Sequence, residues 1–142
     1  MTSDWLLWKP EPRKLHSGGR SHWFVDGEAM FADENIRESV LTYWQQLLGD
    51  RKVRLVAIPT GGLAWAEALA ARTGNPWGTP DNLPLGDAPL IAVDDVVTTG
   101  ASLRAAPYHQ FALVVVARNR FVHIPHVMAW ASIRLEVLDE RR

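Results

Sequence analysis

The chain has no cysteine, no strong excess of either charge and no long apolar run. Each absence removes a class of function. Without cysteine there is no disulfide framework and no thiolate metal site. A net charge of −1 offers no basic field, which argues against a nucleic-acid partner. The longest purely apolar run, Phe111 to Ala117, is far too short to span a bilayer. The segment Met1 to Pro10 lacks the apolar core of a signal peptide. A cytoplasmic protein without a membrane partner is therefore expected. Neither GxxxxGK followed by Ser or Thr nor GxGxxG occurs, so the common phosphate-loop and dinucleotide fingerprints are missing. The histidines form no HExxH, and His123 with His126 is a lone pair three apart. Lysine and arginine are also absent from the whole stretch Thr73 to Leu103.

What is present suits one globular domain. The chain has 142 residues, of which 47% are hydrophobic and 22% charged, enough to bury a sizeable core. Seven tryptophans are scattered along it without a repeat. After an extended, proline-bearing arm from Met1 to Lys14, strands alternate with helices. Trp23 to Val25 reads as a short strand. Asp33 reads as an N-cap, with Ile36, Val40, Leu41, Trp44, Leu47 and Leu48 at helical spacing and Gly49 as the stop. Buried strands are expected at Val53 to Ile58, Leu90 to Val93 and Phe111 to Ala117, and another within Val127 to Val137. Helices are expected at Leu63 to Arg72 and from Thr99 to Ala106. This order predicts an α/β fold with a mostly parallel central sheet flanked by helices. In such sheets ligands sit beyond the carboxyl ends of the strands.

Two strand ends carry chemistry. In LIAVDDVVTTGAS, Leu90 to Ser102, a buried strand delivers Asp94 and Asp95 to its end. Thr98, Thr99, Gly100, Ala101 and Ser102 then open a helix. Hydroxyls and unpaired N–H groups at such a turn favour a phosphate, and the carboxylates suit sugar hydroxyls or a hydrated metal. In AIPTGGLAWAEALA, Ala57 to Ala70, Thr60, Gly61 and Gly62 form a second strand–loop–helix turn, where glycine lets a ligand approach the backbone.

The first of these segments closely resembles the PRPP-binding signature of the type I phosphoribosyltransferases. The resemblance implies that Asp94 and Asp95 grip the ribose hydroxyls as the catalytic pair. It implies that Thr98 to Ser102 hold the 5′-phosphate, and that Thr60, Gly61 and Gly62 hold pyrophosphate. Mg²⁺ would be bound through ligand oxygens and water, with Asp94 and Asp95 as candidate contacts. The N-terminal stretch LHSGGRSHWFVDGEAMFAD, Leu15 to Asp33, resembles the orotate branch. There this segment forms a hood over the base, which implies His16, Arg20 and Phe24 at the base side. Arg118, at the end of VVVARNRF, fits the arginine that pairs with the carboxylate of orotate in that branch. The expected layout is a hood over residues 1–32 and a core over 33–142. The expected partners are PRPP, a nucleobase or nucleotide, and a second copy of the chain in a homodimer.

The chain also departs from that branch. The orotate enzymes carry a basic mobile loop between the pyrophosphate loop and the PRPP motif, and here that stretch has no lysine or arginine. Gly61 stands where the branch tends to have a lysine, and His16 replaces another. Expelling pyrophosphate needs cations to stabilise the developing charge. A partner subunit is one source, with Lys9, Arg13, Lys14, Arg72 and Arg104 as candidates. Two functions are therefore weighed: a phosphoribosyltransferase of nucleotide metabolism, and a protein of the same fold that binds PRPP or a nucleotide for regulation with turnover impaired.

Overall fold

A computed structural model describes residues 5–14, 20–97, 101–106, 109–118, 126–135 and 138, with Ala101 and Ser102 described in backbone only. Two sheets are present. The first is an antiparallel hairpin of β1 (Leu6–Lys14) and β2 (Arg20–Val25). The arm expected to be merely extended is thus a paired strand. Its register is irregular between Trp8 and Arg13, where Pro10 and Pro12 fall. Proline has no N–H for a ladder, so the irregularity belongs where the prolines are.

The second sheet has five strands in the order β4-β3-β5-β6-β7, every neighbouring pair parallel. They are β3 (Arg54–Ala57), β4 (Trp77–Gly78), β5 (Leu90–Val97), β6 (Phe111–Arg118) and β7 (Val127–Ile133). Between them run α1 (Gly27–Ala32), α2 (Glu34–Leu48), α3 (Gly62–Thr73) and α4 (Ala101–Ala105). From β3 the chain passes outward to β4 on one side, and from β5 outward to β6 on the other. The carboxyl ends of β3 and β5 therefore flank the crevice where the strand order reverses.

Local sequence explains the helices. The Asp33 carboxylate accepts from the backbone N–H of Asn35 and Ile36, capping α2, and Gly49 closes it with φ 59°. Gly74, at φ 75°, closes α3 in the left-handed conformation that glycine adopts without strain. The short helix α1 was not expected. Asp26 caps it through the N–H of Ala29, and its Met30 is fully buried in the main core. The last six residues of the segment read as hood thus belong to the core's packing.

That core lies on the face of the sheet covered by α1, α2 and α3, with Trp44 and Trp65 as its largest buried side chains. The opposite face is apolar too, with Ala92, Ala112 and Val114 packed beside Leu103 of α4. Along β5 and β6 the alternation slips at one level. Val93 and Val96 face the helical side, as do Val115 and Val116, whereas strict alternation would separate each pair differently. The slip falls at Asp94 and Asp95. There the N–H of Asp95 donates to Asp94 Oδ1 at 2.8 Å and that of Val96 to Asp95 Oδ1 at 2.7 Å. The strand expected to stop at Val93 runs on through both acids to Val97.

Candidate functional site

A cavity of about 660 Å³ opens at the crevice between β3 and β5. Three bodies wall it. The hairpin contributes Leu7, Lys9, Arg13, Phe24 and Val25. The start of α1 contributes Asp26, Gly27, Glu28 and Phe31. The turn after β3 and the first turn of α3 contribute Thr60, Gly61, Leu63, Ala64 and Trp65. Asp95 reaches the same space from β5.

Asp95 is tightly seated. A methyl group added at Gly27 or at Gly61 would land on its carboxylate. Both glycines are therefore there for close approach, since Gly61 has an ordinary helical φ of −61°. Gly62 lies one layer deeper: its added methyl would strike the Val93 carbonyl, so the bare backbone lets α3 start against β5. The Pro59–Thr60 peptide is cis. The Gly62 N–H donates to Ile58 O at 2.8 Å, and Thr60 is exposed at the cavity.

Asp94 sits behind Asp95, only 7% exposed. Burial, with the neighbouring Asp95 charge adding to it, pushes its carboxyl up from 3.8 to about 8. The shift favours the protonated form of Asp94. The cavity sets the Asp95 side chain beside the Thr60–Gly61 turn.

The other expected site residues divide. Phe24, Thr60, Gly61 and Asp95 line the cavity. His16, Thr98, Thr99 and Gly100 lie outside the described residues, and Ala101 and Ser102 are placed only as the start of α4. Arg20 is an exposed residue of β2 whose backbone pairs with Leu138, and it is not on the cavity wall.

Arg118, expected at the base side, is not on the described cavity wall. It is 3% exposed and turned into the hairpin, donating from Nη2 to Ser21 Oγ at 3.0 Å and from Nη1 to Trp23 O at 3.2 Å. Burial lowers its pKa. Those bonds fasten the hairpin to the end of β6.

The stretch that lacks the basic loop is held to the sheet by Arg54. Arg54 donates from Nε to Ala88 O at 2.7 Å and from Nη1 to Pro84 O at 3.2 Å, tying down the chain between β4 and β5. Of the cations named for a partner subunit, Lys9 and Arg13 instead line this chain's own cavity. Arg72 pairs with Glu38 on the helix surface. The signal for Lys9 was its two-residue offset from Leu7, which places both on one face of a strand.

Comparison with known proteins decides what this architecture is. The orotate phosphoribosyltransferase of Aeropyrum pernix is 33% identical over 104 residues, which cover 63% of this chain and 56% of that protein. Its crystal structure superposes with a TM-score of 0.73 at 28% identity, covering 90% of this chain and 88% of that one. The fold is that of the type I phosphoribosyltransferases. Within that fold the chain is similar to the orotate branch. The match spans little more than half the length of the curated relative. A Giardia lamblia APRTase complexed with 9-deazaadenine shares the phosphoribosyltransferase fold at a TM-score of 0.66 and 12% identity, covering 87% of this chain and 93% of that one. No family model matches the chain.

Proposed function

We propose that this protein is a phosphoribosyltransferase that binds PRPP with Mg²⁺ and transfers ribose 5-phosphate to a nitrogen of a nucleobase such as orotate. The observation that carries this reading is the meeting of Thr60, Gly61 and Asp95 on one cavity at the β3/β5 crevice. A glycine turn for a diphosphate and an acidic pair for ribose hydroxyls are the two ends PRPP requires. The resemblance to orotate phosphoribosyltransferases supports the base class, and it also suggests a homodimer in the cytoplasm.

In this reading Asp95 accepts from the ribose hydroxyls, while Asp94 supports it from behind by accepting the Asp95 backbone N–H. The backbone at Thr60 and Gly61 binds the pyrophosphate oxygens, and Thr98 to Ser102 hold the 5′-phosphate. Leu7, Phe24 and Val25 cover the base side and exclude water from the cation-like ribosyl centre.

The donor set suits Mg²⁺. Among the described residues no cluster of three His, Cys, Asp or Glu side chains is formed to hold a metal. Hard oxygen from Asp95, with Asp94 behind it, fits an ion that keeps waters and leans on substrate phosphates. Bound there, Mg²⁺ would neutralise charge on the departing pyrophosphate.

One observation favours a second reading, a PRPP- or nucleotide-binding regulator. The stretch from Thr73 to Leu103 has no lysine or arginine, and Arg54 pins part of it. Incubation with PRPP, Mg²⁺ and a panel of bases, with pyrophosphate release measured beside PRPP binding by calorimetry, separates the two. Release with orotate supports the enzyme. Binding without release for any base supports the regulator. No binding of PRPP, or binding unchanged by Asp95→Asn, overturns the site.

A further inference from the structure

We propose that this chain works without a moving basic lid: Lys9 and Arg13, carried on the fixed N-terminal hairpin, supply from within the same chain the positive charge that its pyrophosphate site needs. The inference rests on the function proposed above and sets this chain apart from the orotate branch, where a mobile loop brings the cations.

The need comes from charge. Transfer breaks the bond between C1′ and a pyrophosphate oxygen, and the electron pair leaves with pyrophosphate. A base nitrogen forms the new bond and gives up its proton to solvent. Cations beside the leaving group stabilise that charge. The described cavity wall holds three acids, Asp26, Glu28 and Asp95, against two cations, Lys9 and Arg13. The stretch where a lid would lie has no cation to give, since Thr73 to Leu103 contains neither lysine nor arginine. It is also tied down. Thr79 and Asn82 exchange backbone hydrogen bonds at 3.2 and 3.0 Å, a methyl added at Gly78 would strike the Asn82 carbonyl, and Arg54 holds Pro84 and Ala88.

Strand β1 presents its two cations and withholds the acid between them. Leu7, Lys9, Glu11 and Arg13 occupy alternate positions, which share a face in a regular strand. Leu7, Lys9 and Arg13 are on the cavity wall and Glu11 is not. The register slips between Trp8 and Arg13, with Pro10 and Pro12 on either side of Glu11, and such an irregularity re-aims a side chain. Among the described residues, neither cation forms an ion pair.

Both cations are held before any ligand arrives. The Arg13 guanidinium carbon lies 5.5 Å from the centroid of the Phe24 ring. His22 Nδ1 donates to the Lys9 carbonyl at 2.7 Å, and the His22 ring stacks on Trp8 with centroids 5.2 Å apart. Arg118 fastens the hairpin that carries them to β6. Charge placed in this way needs no reorganisation when the leaving group departs.

Inorganic pyrophosphate with Mg²⁺ tests this on the full chain, with ribose 5-phosphate as the control ligand. By calorimetry, Lys9→Gln and Arg13→Gln are each expected to weaken pyrophosphate by about tenfold or more, the scale of a charged hydrogen bond, and to leave ribose 5-phosphate unchanged. Arg13→Lys should keep part of the affinity. Arg51→Gln, which removes the same charge away from the cavity wall, should keep all of it. Hydrogen exchange across residues 79–89 is expected to be the same with and without Mg²⁺ and pyrophosphate. The inference is overturned if both glutamine variants bind pyrophosphate as the wild type does, if they weaken ribose 5-phosphate alike, or if Arg51→Gln is as costly. It is also overturned if pyrophosphate slows exchange across 79–89, the mark of a closing lid, or if the wild type binds PRPP but not pyrophosphate. Each of these results leaves the proposed function standing. That function falls if the wild type binds neither PRPP nor pyrophosphate, and this inference falls with it.

Discussion

Arg118 and Ser21 are 97 positions apart in the chain, yet the guanidinium of one donates to the hydroxyl of the other at 3.0 Å in a buried site. With the second bond to the Trp23 carbonyl, this contact joins the N-terminal hairpin to the end of β6.

Cutting that tie has a predictable cost. Arg118→Met removes two charge-assisted hydrogen bonds, to Ser21 Oγ and to the Trp23 carbonyl, each worth about 1.5–3 kcal/mol. The loss should be local. Hydrogen exchange is expected to accelerate across Arg20–Val25 while β3 and β5 keep their protection. Uniform acceleration through the sheet would show that Arg118 is simply part of the core.

Asp95 and Gly61 should be energetically coupled. Gly61→Ala drives a methyl into the Asp95 carboxylate, and crowding of this kind costs about 1–3 kcal/mol. In the Asp95→Ala background much of that cost should vanish, giving a coupling energy of about 1 kcal/mol or more in a urea-unfolding double-mutant cycle. Additive single changes would mean the two sites do not touch in solution.

Asp94 predicts a pH dependence of stability with a definite sign. Its carboxyl is raised from 3.8 to about 8, by burial first and the Asp95 charge second. Between those values the folded chain keeps a proton that the unfolded chain has released. This group's contribution is full at acid pH, falls as pH rises, and levels off above about 8, with a slope of at most ~1.4 kcal/mol per pH unit. Asp94→Asn, neutral throughout, should flatten this part of the profile. Urea midpoints across that range read the difference, and an equally steep profile for the variant would remove Asp94 as its source.

The cap of α2 provides a plain calibration. Asp33→Ala removes the acceptor for the N–H groups of Asn35 and Ile36 and should cost about 1 kcal/mol in thermal unfolding, without touching nucleotide binding.

Legibility in the sequence followed the range of the interactions. Asp33, Gly49 and Gly74 act on neighbouring residues, and their roles could be read directly. The three central strands could be read from apolar runs buried on both faces. Short α1 could not, because six residues show too little periodicity and Met30 is buried by distant partners. Thr60, Gly61 and Asp95, singled out by strand–turn–helix grammar, share one cavity wall. The chemistry of Arg118 suits a carboxylate equally well wherever one lies, and the bond to Ser21 could not be read from sequence because it spans 97 positions. Lys9 and Arg13 carried no motif: a hairpin with an irregular register delivers them.

Among the described residues, every one on the cavity wall except Asp95 lies between Leu7 and Trp65. The molecule is therefore modular in a practical sense. The later strands act as a chassis that contributes one carboxylate to the described wall, while the rest of that wall is written in the first half of the chain. Libraries confined to that half could reshape the wall and leave β5, β6 and β7 untouched.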